Sequence, residues 1–378
     1  WEQLSVPIIE RSEYGIPSVA RDIVTVPGTE ETLIVFDFSL AIGSLTESKW
    51  DKINLPTDYY IAQTACVLPS GEVLVGGCDS PQSLYTGIAI TDIKTIKDNL
   101  EYNDKHPDSP KKLEWKTISG LFDWEYWSFI RTITHLPSIG GNSSGKIFLG
   151  GWIGTSMINN GKSPGTGLIC MDDKNFKLIE NNSFPFTHKL EGDLTGPMSV
   201  NAVKATHYKG HEIVIIGGEG SGGGRGYNPD KPHLQIIVDG TAYPQEVVNC
   251  KGLVESGGGY DLIAAQKGIE ICEESGDVFV STAFKEISRV SLEDILSGNV
   301  LNWERITRAP EGQEDTGSLH IMLSRNKKNS ETPTLMMCRE VWGNGPFPFQ
   351  QVGVAKLNNR NAMRLHTSRL FKNNSSDF

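Results

Sequence analysis

No run of ~18 apolar residues occurs in this chain, so no segment is built to span a bilayer as a helix. Positive charge is scarce: 35 Lys and Arg stand against 46 Asp and Glu, a net charge of −11. That balance argues against general binding to nucleic acid or anionic membranes, where basic surface supplies the attraction. It leaves room for a local basic pocket. Sustained helical periodicity is missing; only Ile93 to Tyr102 and Ser291 to Leu296 read as holding a helical turn. The six cysteines, Cys66, Cys78, Cys170, Cys250, Cys272 and Cys338, form no CxxC pair and no metal-ligand spacing. Cys66, Cys170, Cys272 and Cys338 sit inside apolar runs and read as buried thiols acting as small hydrophobes. The histidines are scattered, and His207 and His211 share no helix, so neither a zinc pair nor a cofactor is expected. P-loop, nucleophile-elbow and HExxH patterns are absent. Gly218-Glu219-Gly220-Ser221-Gly222-Gly223 spells a GxGxxG string, but Gly224-Arg225-Gly226-Tyr227-Asn228-Pro229 follows it, not the helix that would hold a pyrophosphate.

What the chain has is repetition. An inner segment with one polar residue among apolar ones is followed by a second, wholly apolar run, often ended by Gly-Gly. Unit two is the clearest, Tyr59-Tyr60-Ile61-Ala62-Gln63-Thr64-Ala65-Cys66-Val67 leading into Gly71-Glu72-Val73-Leu74-Val75-Gly76-Gly77. Related pairs begin at Ile16, Tyr126, Met198, Asp261 and Ser318. The second runs are too short and too apolar for amphipathic helices and read as central strands buried on both faces. The Gly-Gly pairs are expected to let the backbone turn sharply near the ring's middle. The 40 glycines supply the many turns such a chain needs. Strand units that cannot bury their own faces predict a ring: an all-β, six-bladed β-propeller with four-stranded antiparallel blades.

A second mark closes several units: Trp, two polar residues, then an aliphatic one. It occurs at Trp1-Glu2-Gln3-Leu4, Trp50-Asp51-Lys52-Ile53, Trp115-Lys116-Thr117-Ile118 and Trp303-Glu304-Arg305-Ile306, with Phe176-Lys177-Leu178-Ile179 as a degenerate copy. The Trp is expected to wedge between blades. The copy at Trp1 has no inner strand before it, so the N-terminal strand is expected to complete the last blade and close the ring. This predicts one propeller domain over 1–357 and a polar tail over 358–378.

Aligning the six inner segments puts a polar residue in one column: Arg21, Gln63, Arg131, Asn201, Gln266 and His320. Innermost strands line a propeller's channel, so these side chains are expected to face one another. Two guanidiniums with amides and an imidazole suit a carboxylate, a phosphate or sugar hydroxyls. The alternative is a water-filled channel whose polar groups satisfy one another. A one-residue slip would move any member to the other face. Asp123-Trp124-Glu125-Tyr126-Trp127, and the loop carrying Arg339 and Trp342, add aromatic faces beside polar edges, the surface a sugar ring uses. Acids near this end are Asp22, Asp58, Asp79, Glu125, Glu219, Asp261, Glu314, Asp315 and Glu340. A glycosidase would need two of them at a fixed separation.

Leu68-Pro69-Ser70-Gly71-Glu72-Val73-Leu74-Val75-Gly76-Gly77, with a later Trp, resembles the kelch pattern over units two to four. Tyr14-Gly15-Ile16-Pro17-Ser18, followed by Leu33-Ile34-Val35-Phe36, is similar to the first blade of the six-bladed sialidase fold. Gly15 stands where that family has arginine. Ser44 to Trp50 has the outline of its Asp-box turn without the aspartate and glycine. Both resemblances imply a propeller. The second implies a carbohydrate-active hydrolase or lyase, with Arg21, Arg131 and Arg339 on a carboxylate and Tyr260 as an acid-activated nucleophile.

The functional expectation is a propeller that binds a polar or anionic ligand, carbohydrate first, at the channel mouth. Candidate binding residues are the six column residues with Trp127, Arg339 and Trp342. A carbohydrate-active enzyme and a protein-interaction scaffold are the alternatives. Asn142-Ser143-Ser144, Asn181-Asn182-Ser183 and Asn373-Asn374-Ser375 are glycosylation sequons. With Trp1 as first residue, as a cleaved leader or a trimmed chain would each leave it, they lean the expectation toward an extracytoplasmic or secreted protein.

Overall fold

The computed structural model describes residues 2–3, 20–44, 50–56, 61–78, 86–119, 129–140, 144–152, 168–179, 199–219, 234–249, 268–273, 275–281, 286–308, 319–324, 334–342 and 348–356. Strand β1 is Glu2–Gln3. The first blade is β2 (Ala20–Thr25), β3 (Glu31–Phe36), β4 (Ser39–Ser44) and β5 (Trp50–Asn54). The second is β6 (Ile61–Val67), β7 (Glu72–Cys78), β8 (Thr86–Asp92) and β9 (Lys116–Ser119), with helix α1 (Ile93–Lys105) before its last strand. A third sheet holds β10 (Phe129–Leu136), β11 (Lys146–Trp152) and β12 (Leu168–Asp172). Next come β13 (Ser199–Tyr208), β14 (His211–Glu219), β15 (Leu234–Val238) and β16 (Thr241–Ala242), followed by α2 (Gln245–Val248). Then come β17 (Ile269–Cys272), β18 (Asp277–Ser281), β19 (Glu286–Ser291) and β20 (Glu304–Arg308), with α3 (Leu292–Ser297) before β20. The last sheet is β21 (Leu319–Ser324), β22 (Thr334–Trp342) and β23 (Pro348–Lys356), with β1 on its outer edge. Glu2 lies opposite Val354 and Gln3 opposite Gly353.

The first strand of each sheet packs on the first strand of the next, from β2 to β6, β10, β13, β17 and β21, and β21 packs back on β2. This is an all-β propeller of four-stranded antiparallel blades. Six four-stranded blades were expected; five are described, and the sheet of β10 to β12 has three strands among the described residues. Its outer edge carries a single bridge, Met171 to Leu178, supported by Ile179 N–H donating to Cys170 at 2.9 Å. A tight turn leads into this bridge, and residues 180–198 lie outside the described residues. Asp172 Oδ1 accepts from Lys174 N–H and Asn175 N–H, and Phe176 has a φ of 56°. The degenerate Trp mark at Phe176 thus doubles back toward β12 and bridges to it at Leu178.

The second strands are apolar throughout because each faces two neighbours. Leu33 and Val35 of β3 join Val73 and Val75 of β7 in one core between blades. Leu74, the residue between them on β7, points the other way and meets Ile147 and Leu149 of β11. Phe148 then meets Val214 and Ile216 of β14, and Ile213 and Ile215 meet Val278 and Val280 of β18. Period-2 alternation thus distributes one apolar run between two cores. Each fully buried Val, Ile or Leu contributes about 1.5–3 kcal/mol.

The Gly-Gly pairs do not turn the chain as expected; Gly76 and Gly77 lie within β7 and Gly150 within β11. They clear space. A Cβ on Gly76 would sit 2.6 Å from Ile130 Cγ2 of the next blade, and one on Gly150 2.3 Å from Val200 Cγ1. Without side chains here, the innermost strands approach closely enough to form a narrow ring.

Two of the Trp marks lie between blades. Trp115 donates its indole N–H to Asn54 O at 3.1 Å and packs on the first inter-blade core. Trp303 donates to Val248 O at 2.9 Å. Helix α1 is longer than the turn expected from sequence. Asp92 caps it by accepting from Thr95 N–H at 2.8 Å, while buried Ile96 and partly buried Ile93 and Leu100 seat it on that core. Three apolar residues form a stripe too narrow to stand out before the neighbouring surface is known.

Candidate functional site

The polar column coincides with a backbone feature. In β2, Ala20 lies opposite Phe36 and Asp22 opposite Val35, leaving Arg21 as an extra residue. The same skip falls at Gln63 between Ala62 and Thr64, at Arg131 between Ile130 and Thr132, and at Asn201 between Val200 and Ala202. Each is a β-bulge near the start of an innermost strand, opposite the second strand's Gly-Gly where that pair exists. A Cβ on Gly77 would lie 2.0 Å from Ile61 O, so glycine is what lets the second blade's bulge close. Bulges insert one residue and re-aim its side chain. In the last blade His320 pairs regularly with Cys338, so β21 carries no bulge there. Gln266 and Trp127 lie outside the described residues. Arg339 and Trp342 sit on the second strand β22, opposite Leu319 and Pro348.

The column residues divide by what they meet. Arg21 Nε lies 2.5 Å from Asp37 Oδ1, a nearly buried carboxylate just past β3. Arg131 Nη1 donates to Asn201 Oδ1 at 2.7 Å, joining the third and fourth sheets. Arg131 and Asn201 line a central cavity of about 350 Å³, while Arg21 and Gln63 do not. The cavity runs between β2, β6, β10, β13 and β17.

The same cavity holds a second polar group, further along the inner strands, that is not assembled from the sequence. Lys204 Nζ of β13 pairs with Glu270 Oε1 of β17 at 2.9 Å. Asp22 of β2 accepts from Thr64 Oγ1 at 2.6 Å and Ala65 N–H at 3.3 Å, tying the first two blades. Thr132 Oγ1 accepts from Val203 N–H at 3.1 Å, tying the third sheet to the fourth. Burial pushes the Glu270 carboxyl up to about 7, with the Lys204 charge and hydrogen bond opposing and Asp22 reinforcing. Burial works against the Lys204 charge, but Glu270 and Asp22 outweigh it and hold its pKa above the usual lysine value. Burial raises the Cys66 thiol to about 12, against the pull of Lys204. Cys66, Cys170 and Cys272 are buried and form no disulfide. Among the described residues no cluster of His, Cys, Asp and Glu could hold a metal ion, and no helix is long and apolar enough to cross a membrane.

A sequence signal for the second group existed. Cys66 and Lys204 stand three residues after Gln63 and Asn201, whereas Glu270 stands four after Gln266. The register Glu270 to Phe279 matches Lys204 to Ile215, each partner lying two residues before the position of the Gly-Gly. On that register Glu270 holds in its blade the place that Lys204 holds in the preceding one. A column drawn from the strand register rather than from the polar residues puts a lysine and a glutamate on neighbouring strands.

No protein-family model matches the chain, and no curated protein is similar to it in sequence. Several solved structures are similar in shape. One is the extracellular domain of a hybrid two-component system from B. thetaiotaomicron, at 11% identity and a TM-score of 0.45, matched over 96% of this chain and 36% of that one. The WD40 domain of Neurospora crassa Pan2 is 10% identical with a TM-score of 0.42, over 84% and 71% of the two chains. The Dos1 propeller is 9% identical with a TM-score of 0.40, over 90% and 72%. This chain thus spans about a third of the first of these, and the fold assignment stands on the sheets themselves.

Proposed function

We propose that the chain is a six-bladed propeller, one domain over 1–357 with a tail over 358–378, that binds a polar or anionic ligand, carbohydrate first, in its central channel. The observation that carries this reading is the meeting of the Arg131–Asn201 and Lys204–Glu270 pairs on one cavity of about 350 Å³. That volume is at the small end of ligand pockets and suits one sugar ring or a short acid. Guanidinium, amide and ammonium donors match carboxylate and hydroxyl oxygens. Gln266, His320, Arg339, Trp127 and Trp342 complete the proposed binding set, with Gln63 and Arg21 off the cavity wall and Arg21 braced by Asp37. The sequons support an extracytoplasmic setting.

A glycan array tests the reading. Signal on acidic or polar glycans is expected, falling at least tenfold in Arg131→Ala and less in Arg21→Ala, whose side chain is off the cavity wall. An array without signal, or binding indifferent to Arg131→Ala, would sink it. A carbohydrate-active enzyme is the second reading, favoured by Glu270 titrating near neutrality in the same cavity as Asp22. Turnover of a fluorogenic glycoside, lost in Glu270→Gln, would promote it.

A further inference from the structure

The cavity's charges are close to balanced. Arg131 and Lys204 face Asp22 and Glu270, and Lys204 is already occupied by Glu270 at 2.9 Å. An incoming carboxylate that reaches this ammonium meets a carboxylate already there. Two anions on one partly exposed ammonium, one of them the nearly buried Glu270 carboxylate, leave an uncompensated negative charge that desolvation penalises. The group that can remove that charge is Glu270.

We infer that Lys204 and Glu270 make the channel a proton-linked site for small carboxylates, acidic sugars foremost: the ligand takes the Lys204 ammonium as Glu270 takes up a proton from solvent. The inference rests on the ligand-binding reading above and adds its ligand class and its regulation.

The surroundings of Glu270 support this. Lys204 approaches from β13, and Asp22 acts from β2. Cys66, from β6, senses both Lys204 and Asp22 but stays a neutral thiol. On its own blade, β18 places Phe279 opposite Glu270, with Asp277 and Glu273 displaced to the hairpin end. β14 contributes Ile213 and Ile215 to the core shared with Ile269. The side chains of β21 lie outside the described residues. Lys204 is therefore the cation that opposes the burial of Glu270, and Asp22 the anion that reinforces it. Any ligand anion that draws on Lys204 removes the interaction that keeps Glu270 ionised. Its pKa, about 7 when the site is free, must rise on binding.

Calorimetric titration of the intact chain with D-glucuronate, in two buffers of unequal ionisation enthalpy, reads the proton directly. About one proton is expected to enter per ligand near pH ~8 and close to none near pH ~6, where Glu270 is already protonated. Affinity is expected to be level below pH ~7 and to fall up to about tenfold per pH unit above it. Glu270→Gln should bind glucuronate without proton uptake, and more tightly than wild type near pH ~8. The wild-type comparison needs no variant to fold. Glucuronate binding without proton uptake near pH ~8 would overturn the linkage and leave the ligand-binding reading standing. So would binding of methyl glucoside but not glucuronate. Binding of neither sugar overturns the inference, and the glycan array decides the parent reading separately.

Discussion

Glu270→Gln should change how stability depends on pH, and the size of the change follows from the cavity. The carboxyl titrates near 7 in the fold against 4.5 in an ordinary setting, because burial disfavours its ionised form more than Lys204 favours it. The folded chain therefore holds this proton more tightly than the unfolded chain does. Between those two values the native state carries the extra proton, so stability drops as pH rises. At about 1.36 kcal/mol per pH unit, a difference of about 2.5 amounts to about 3 kcal/mol. Conversion is reasonable because the Glu270 side chain is only 13% exposed. Glutamine has the same shape and no titration. It also removes the partner that, with Asp22, holds Lys204 protonated against burial, so a Glu270→Gln, Lys204→Met double variant serves as the second reference. Urea unfolding of wild type and variant at matched ionic strength, at steps between pH ~4 and ~8.5, isolates the term as a difference curve. Wild type minus variant should decline by about 3 kcal/mol and level off above pH ~8. A curve flat to within about 0.5 kcal/mol, or one that rises, would refute the claim that burial dominates at this carboxyl.

Two further outcomes bear on the ring and its thiols. Gly77→Ala should cost about 3 kcal/mol or more, since the new methyl would meet backbone at Ile61 O; Gly71→Ala, in open space at positive φ, should cost about 1–2 kcal/mol, and equal melting points would contradict the close-approach argument. Cys66 and Cys170, both pushed to about 12 by burial, should resist iodoacetamide in the native protein at pH ~8; labelling of either within minutes would show that these thiols are not sealed in their cores.

Repetition carried much of the fold. Runs such as Val73-Leu74-Val75 and Ile147-Phe148-Leu149 read as strands buried on both faces, and they are, because alternate side chains serve two inter-blade cores. Gly76-Gly77 was visible, but its purpose was not. Nothing local distinguishes a glycine that turns the chain from one that admits Ile130 of the next blade. The helix over Ile93–Lys105 was under-read because its stripe is narrow and its partner surface comes from other blades.

The candidate site divides the same way. The column from Arg21 to Asn201 was legible because one polar residue at a fixed place in an apolar strand breaks an otherwise uniform pattern, and its bulges explain the place. Which members share a cavity was not legible: Arg131 reaches Asn201 across a blade boundary while Arg21 is held by Asp37. Glu270 was not legible because the second strand of unit five ends without Gly-Gly to anchor its register.

By itself the sequence determined the blade cadence, the doubly buried second strands, the Trp wedges and the position of the polar column, all set by period-2 burial within a short segment. The pairing of β1 with β23, the turn that returns Leu178 to β12, the Arg131–Asn201 contact and the Lys204–Glu270 pair were decided only by the tertiary structure. Each joins residues about 60 or more apart or depends on how tightly the chain turns. Distances and burial of that kind exist only once the blades have packed into a ring.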